Sequence, residues 1–121
     1  MGRLLMFFLL SAFIVDTYQE YLNRGNMGLT AITEDIVTPT VTSLLVSDNL
    51  IAKIDWIPLM DSLKTLTLDR NLLTEFPNLV NVSQTLSTLF VNQNKISYIA
   101  KERLSCLSAL TMLAIGHNKL T

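Results

Sequence analysis

LKTLTLDRNLL, residues 63–73, sets the reading of the whole chain. Leu66 and Leu68 stand two apart, the spacing that puts both side chains on one face of a β-strand. Asn71 follows three residues later, a residue type that favours turns because its side chain bonds local backbone. The same pattern recurs as VTSLLVSDNLI (41–51), LSTLFVNQNKI (86–96) and LTMLAIGHNKL (110–120). Each segment fits L-x-x-L-x-L-x-x-N-x-L with Val or Ile allowed at the apolar positions. The asparagines Asn49, Asn71, Asn94 and Asn118 are spaced by 22, 23 and 24 residues. Periods of this length mark repeat architectures, and four matches in register outweigh any single one.

The paired apolar positions are Leu44 and Val46, Leu66 and Leu68, Leu89 and Val91, Leu113 and Ile115. Stacked strands of this kind make a parallel sheet whose inward side chains form one continuous aliphatic core. Each asparagine is expected to bend the chain inward and to hydrogen-bond backbone groups of neighbouring turns that would otherwise be buried unpaired. Asn49, Asn71, Asn94 and Asn118 therefore read as a structural ladder, not as binding residues.

The pattern resembles the leucine-rich repeat family over residues 41–120. The resemblance implies an α/β solenoid: a short, right-handed, curved parallel β-sheet on the concave face, and irregular, 3-10 or short helical segments on the convex side. The first return segment, with Ile51, Ile54, Ile57, Met60 and Leu63 spaced by three, looks like the subtype of intracellular phosphatase-regulator repeats. The third, with Ile96, Ile99, Leu104, Leu107 and Leu110, looks like the longer subtype of extracellular proteins. The second, around Phe76-Pro77, is intermediate, so the subtype leaves the compartment open.

The expected organisation is a signal peptide at 1–17, an N-terminal cap or partial repeat at 18–40, and four repeats at 41–121 with the last one truncated. Residues 4–15 read LLMFFLLSAFIV behind Arg3, a short basic region followed by an apolar run. As a helix, twelve residues would span about 18 Å, short of a bilayer core of about 30 Å. The cleavage position is poorly marked, Thr17 being the best small residue. A buried cap helix and an uncleaved anchor are the alternatives. Leu29 and Ile32 match Ile51 and Ile54 at a distance of 22 residues, and GLTAITEDIVTPTV (28–41) is similar to the capping segment of extracellular members, without that cap's cysteines. At the other end the chain stops at Thr121, directly after the fourth turn. This points to a fragment, a truncated frame or one edge of a longer solenoid. Leu110, Leu113, Ile115 and Leu120 are expected to face solvent there, with self-association along that edge.

The outward strand positions should form columns on the concave face. One holds Ser43, Thr65, Thr88 and Met112; the next Leu45, Thr67, Phe90 and Ala114. Then come Ser47, Asp69, Asn92 and Gly116, and finally Asp48, Arg70, Gln93 and His117. Phe90 reads as the one aromatic pointing outward from a strand. Aromatics and Arg are favoured anchors of interfaces. Phe90 and Arg70 are thus the first candidates for partner contact, with Asp69, Asn92, Thr67 and Thr88 around them.

The chain carries 9 Lys+Arg against 10 Asp+Glu, which gives no electrostatic reason to expect nucleic acid or an anionic membrane as partner. A membrane enters only if a longer parent chain carries a span. One cysteine, Cys106, allows no internal disulfide and reads as a half-buried apolar residue. The one histidine, His117, has no Ser, Asp or Cys partner at motif spacing, so no catalytic role, cofactor or metal site is expected. Asn81-Val82-Ser83 is a glycosylation sequon. The expected function is a protein-recognition module on the extracellular side. The alternative is an intracellular scaffold docking on an enzyme such as a phosphatase.

Overall fold

A computed structural model describes residues 19–121; the leader expected at 1–17 lies outside them. Five short strands, β1 (Tyr21–Asn23), β2 (Ser43–Leu45), β3 (Thr65–Thr67), β4 (Thr88–Phe90) and β5 (Met112–Ala114), form one sheet in chain order. All neighbours are parallel, with Leu22, Leu44, Leu66, Leu89 and Leu113 in one register. Parallel neighbours require a crossover connection. Here each is a return segment of one coil, so the chain winds as a solenoid. The inward residue two positions on (Val46, Leu68, Val91) extends the pairing beyond each strand, as in the Val46 N–H donating to the Thr67 carbonyl at 2.9 Å.

The core lies between the sheet and the return segments. Leu44, Leu66 and Leu89 from the strands meet Ile51, Ile57, Met60 and Leu63, then Phe76, Leu79 and Leu86, all essentially inaccessible. The three-residue spacing of the first return marks its inward positions, yet its path is not helical. It has a bend at Asp55 and a turn at Asp61-Ser62. Pro58, which lacks an N–H donor, suits such a course. The second return carries a 3-10 turn at Val80–Val82, and the third a five-residue α-helix, α1 (Lys101–Ser105).

Residues 19–41 contribute a strand of their own. The repeat template breaks there because Asn23 and Arg24 stand where the next coil has Leu45 and Val46. Arg24 is half-buried, and its Nε donates to the Ile36 carbonyl at 2.9 Å. Glu20 joins the first coil to the second. Its backbone N–H donates to the buried Thr42 hydroxyl at 2.8 Å, and its carboxylate accepts from the Thr38 and Thr40 hydroxyls. Those two hydroxyls hold the Glu20 carboxyl below its ordinary value.

At the far end the expected exposure is partial. Leu110, Leu113 and Ile115 are half-buried: the preceding coil packs on one side of each, and they stay more accessible than their fully buried counterparts in the inner coils. Only Leu120 of that group is exposed, at 42%. Leu104 also departs from the return-segment pattern and is 37% exposed. In a helix the inward stripe recurs every three to four residues, so α1 turns Arg103 inward together with Cys106 and Leu107. Cys106 is half-buried and packs on the core beside the buried Leu107.

Candidate protein-binding face

From the second coil on, each described coil closes on an asparagine. Asn71 Oδ1 accepts the Ile51 N–H at 3.1 Å, while its Nδ2 donates to the Val46 and Leu68 carbonyls at 2.9 and 3.1 Å. Asn94 repeats this with the Leu73 N–H at 3.0 Å and the Leu68 and Val91 carbonyls at 3.0 and 3.2 Å. Asn118 does the same toward Ile96, Val91 and Ile115. Asn49 reaches back to the Met27 and Leu29 N–H groups and to the Arg24 carbonyl. Each side chain thus satisfies backbone of its own coil and of the one before. The first coil has Met27 at this position and no rung of its own.

To reach the rung the chain turns through a left-handed residue just before it. Asn26, Asp48, Arg70, Gln93 and His117 all have φ between 53° and 58°. This region costs a non-glycine residue roughly 1–2 kcal/mol. In the four coils that have a rung, the asparagine bonds over-determine it. All five side chains are exposed, so the turn sets a polar rim along the sheet. Within it, Arg70 holds Asp48 of the preceding coil in a bidentate pair, Nε and Nη2 to the two carboxylate oxygens at 2.7 and 2.9 Å. This pairing lowers the Asp48 carboxyl and raises the Arg70 guanidinium from their ordinary values.

The next column inward forms a second set of cross-coil bonds, which the sequence pattern did not signal. Asp69 Oδ1 accepts the Asn92 N–H at 2.7 Å, and Asn92 Oδ1 accepts the Gly116 N–H at 2.7 Å. Asp69 and Asn92, expected as partner contacts, also tie their strands together. Thr67, Thr88 and Phe90 lie half-buried on the sheet's outer surface, and Thr67 sits beside Phe90 in the register. Ser43 and Ser47, although in outward columns, are buried and offer little to a partner.

Phe90 is not the only outward aromatic. Tyr21 pairs with Ser43 in the register and is 71% exposed. It escaped the sequence reading because its strand lacks the repeat template. On the opposite side of the coils, Arg103 bonds the Phe76 carbonyl at 2.7 Å and meets Asp55 and Glu75 at 3.6 and 3.5 Å. Lys53 closes the same cluster. These residues lie far apart in sequence and carry no motif. Asn81 of the sequon is half-buried, its Nδ2 donating to the Ile57 carbonyl at 2.7 Å. His117 is exposed on the rim, and among the described residues no group of His, Cys, Asp or Glu is placed to hold a metal ion. No helix among them is long and apolar enough to cross a membrane.

Parallel strands stacked at one coil per rung, with every return on the far side, define a repeat solenoid with an open sheet face. The family model described as leucine rich repeat matches residues 61–120, and the coils before residue 61 continue the same register. The chain is a leucine-rich repeat protein. Domains of this family generally mediate protein–protein interaction and are typically non-enzymatic. No curated protein matches the chain.

Proposed function

We propose that the chain is an extracellular protein-recognition module that binds its partner on the exposed sheet face and catalyses no reaction. The observation that carries this is the surface of that sheet. It combines half-buried Phe90 and exposed Tyr21 with hydroxyl and amide groups, on a backbone fixed by two sets of cross-coil hydrogen bonds. A rigid face of this kind binds without ordering itself first, which lowers the entropy cost of association. The extracellular part rests on the apolar run behind Arg3 and on the Asn81 sequon.

Placing a photo-crosslinking residue at Thr88, and separately at the return-side Gln84, in the full chain tests the face. A discrete adduct from position 88 with none from position 84 is the expected outcome; the reverse pattern contradicts it. Sequencing the N-terminus of the product secreted by cultured cells tests the compartment. A start at Tyr18 in the medium is expected, whereas a cytosolic, unglycosylated product beginning at residue 1 or 2 contradicts it.

The intracellular scaffold is the second reading. It is favoured by the first coil, which is closed by Arg24 and Glu20 hydrogen bonds where extracellular members use cap cysteines. Self-association along the β5 edge is a further partner expectation, and sedimentation of the full chain over a concentration series tests it.

A further inference from the structure

We propose that the N-terminal end of the sheet face takes a basic side chain of the partner, lysine or arginine, on the carboxylate of Asp69. This rests on the reading of the sheet as the binding face. The sheet is hollowed there into an open pocket of about 400 Å³, whose wall includes Asn26, Leu45, Thr67, Asp48, Asp69 and Arg70. Such a volume falls within the range of sites that accept a ligand group. Two carboxylates and one guanidinium line it, so its formal balance is one negative charge.

The distribution of that charge decides what fits. Arg70 is committed to Asp48 through both Nε and Nη2, and it feels the nearby Asp69 charge without a hydrogen bond or ion pair to it. Asp69 is anchored differently. Its Oδ1 takes the Asn92 N–H, and its Oδ2 has no hydrogen-bond or ion-pair partner among the described residues. The carboxylate is therefore held in place by one oxygen and presents the other. Asp69 is also half-buried, so an incoming cation meets it at an effective dielectric below that of water. An acidic group would have to displace Asp48 from Arg70 and approach Asp69 against repulsion. Half-buried Leu45 supplies an apolar surface for the methylene stem of a lysine or arginine, the way such side chains cover apolar ground while keeping the charge solvated. Thr67 adds a hydroxyl between the two.

The test uses the full chain labelled with nitrogen-15 and three blocked tripeptides that differ at the centre: acetyl-Gly-Arg-Gly-amide, acetyl-Gly-Lys-Gly-amide and acetyl-Gly-Gln-Gly-amide. The basic peptides should shift the amide signals of Asn26, Ser47, Thr67 and Asp69, and the glutamine peptide should not. Asp69→Asn keeps the acceptor for the Asn92 N–H and removes the charge. It should leave the Asn92 amide signal in place and weaken the basic peptides at least tenfold. Shifts at these amides that are equal for the glutamine peptide, or unchanged by Asp69→Asn, overturn the basic anchor while leaving the sheet as the binding face. Shifts from the basic peptides confined to amides around Asp55 and Glu75 contradict both. No shift from any of the three also overturns the anchor.

Discussion

Arg70 closes a bidentate ion pair on Asp48, one coil back, at 2.7 and 2.9 Å, and both residues sit in the left-handed turn that precedes a buried asparagine. The pair runs along the polar rim, beside the backbone bond from the Asp48 N–H to the Asp69 carbonyl at 3.0 Å. Both side chains are about half exposed, so its stabilisation is small and screened by salt.

Its titration is the more telling property. The Arg70 hydrogen bonds hold the Asp48 carboxyl below its ordinary value. A lowered folded-state value means that the pair stabilises above the unfolded aspartate value of about 3.9 and loses that contribution as pH falls through the folded one. Carboxyl-carbon NMR should show Asp48 titrating below ordinary aspartate, and Arg70→Gln should return it there. An Asp48 curve unmoved by Arg70→Gln contradicts the pairing in solution.

The asparagine rungs should rank by burial. Asn71→Ala and Asn94→Ala each strand a backbone N–H and shared carbonyls in the interior, at a cost of roughly 1–3 kcal/mol. Asn118 is half-buried, so Asn118→Ala should cost less. Denaturant unfolding of the three variants measures this order, and a cost for Asn118→Ala above the other two would reverse it.

Asp69 should matter to stability through its shape more than its charge. Asp69→Ala removes the acceptor for the Asn92 N–H, a loss of about 0.5–1.5 kcal/mol, whereas Asp69→Asn retains it. Thermal melts of the two variants should separate. Identical melting would mean that the second cross-coil set contributes nothing.

Core leucines in one register should differ with their place in the stack. Leu66→Ala opens a cavity between two coils and should cost about 2–5 kcal/mol, while half-buried Leu113 has a coil on one side only and should cost less. Equal losses in chemical denaturation would show that Leu113 is as enclosed as Leu66.

The strands β2 to β5 were legible because their physics repeats: two apolar residues two apart, then an asparagine, at every coil. The first coil was only partly legible. Leu22 keeps the core register, but Arg24 replaces the aliphatic residue that would identify a strand, and its suitability depends on an Ile36 carbonyl twelve residues away. Tyr21 was missed for the same reason. The face columns followed directly from alternation along each strand. What the columns do to one another did not, because the Asp69 and Asn92 bonds cross coils 23 and 24 residues apart. Burial of Ser43 and Ser47 likewise depends on neighbours from other coils. In α1, helical periodicity displaced a simple count of leucines, exposing Leu104 and turning Arg103 inward, while Cys106 just after it is half-buried, as read from the sequence.

The most direct measurement compares two adjacent residues of β4 by equilibrium unfolding. Leu89 is fully buried and Phe90 lies on the open face. Leu89→Ala should lose about 2–5 kcal/mol, and Phe90→Ala distinctly less despite removing the larger side chain. Losses of the same size, or a larger one for Phe90→Ala, would put the aromatic inside and leave no such sheet surface for a partner.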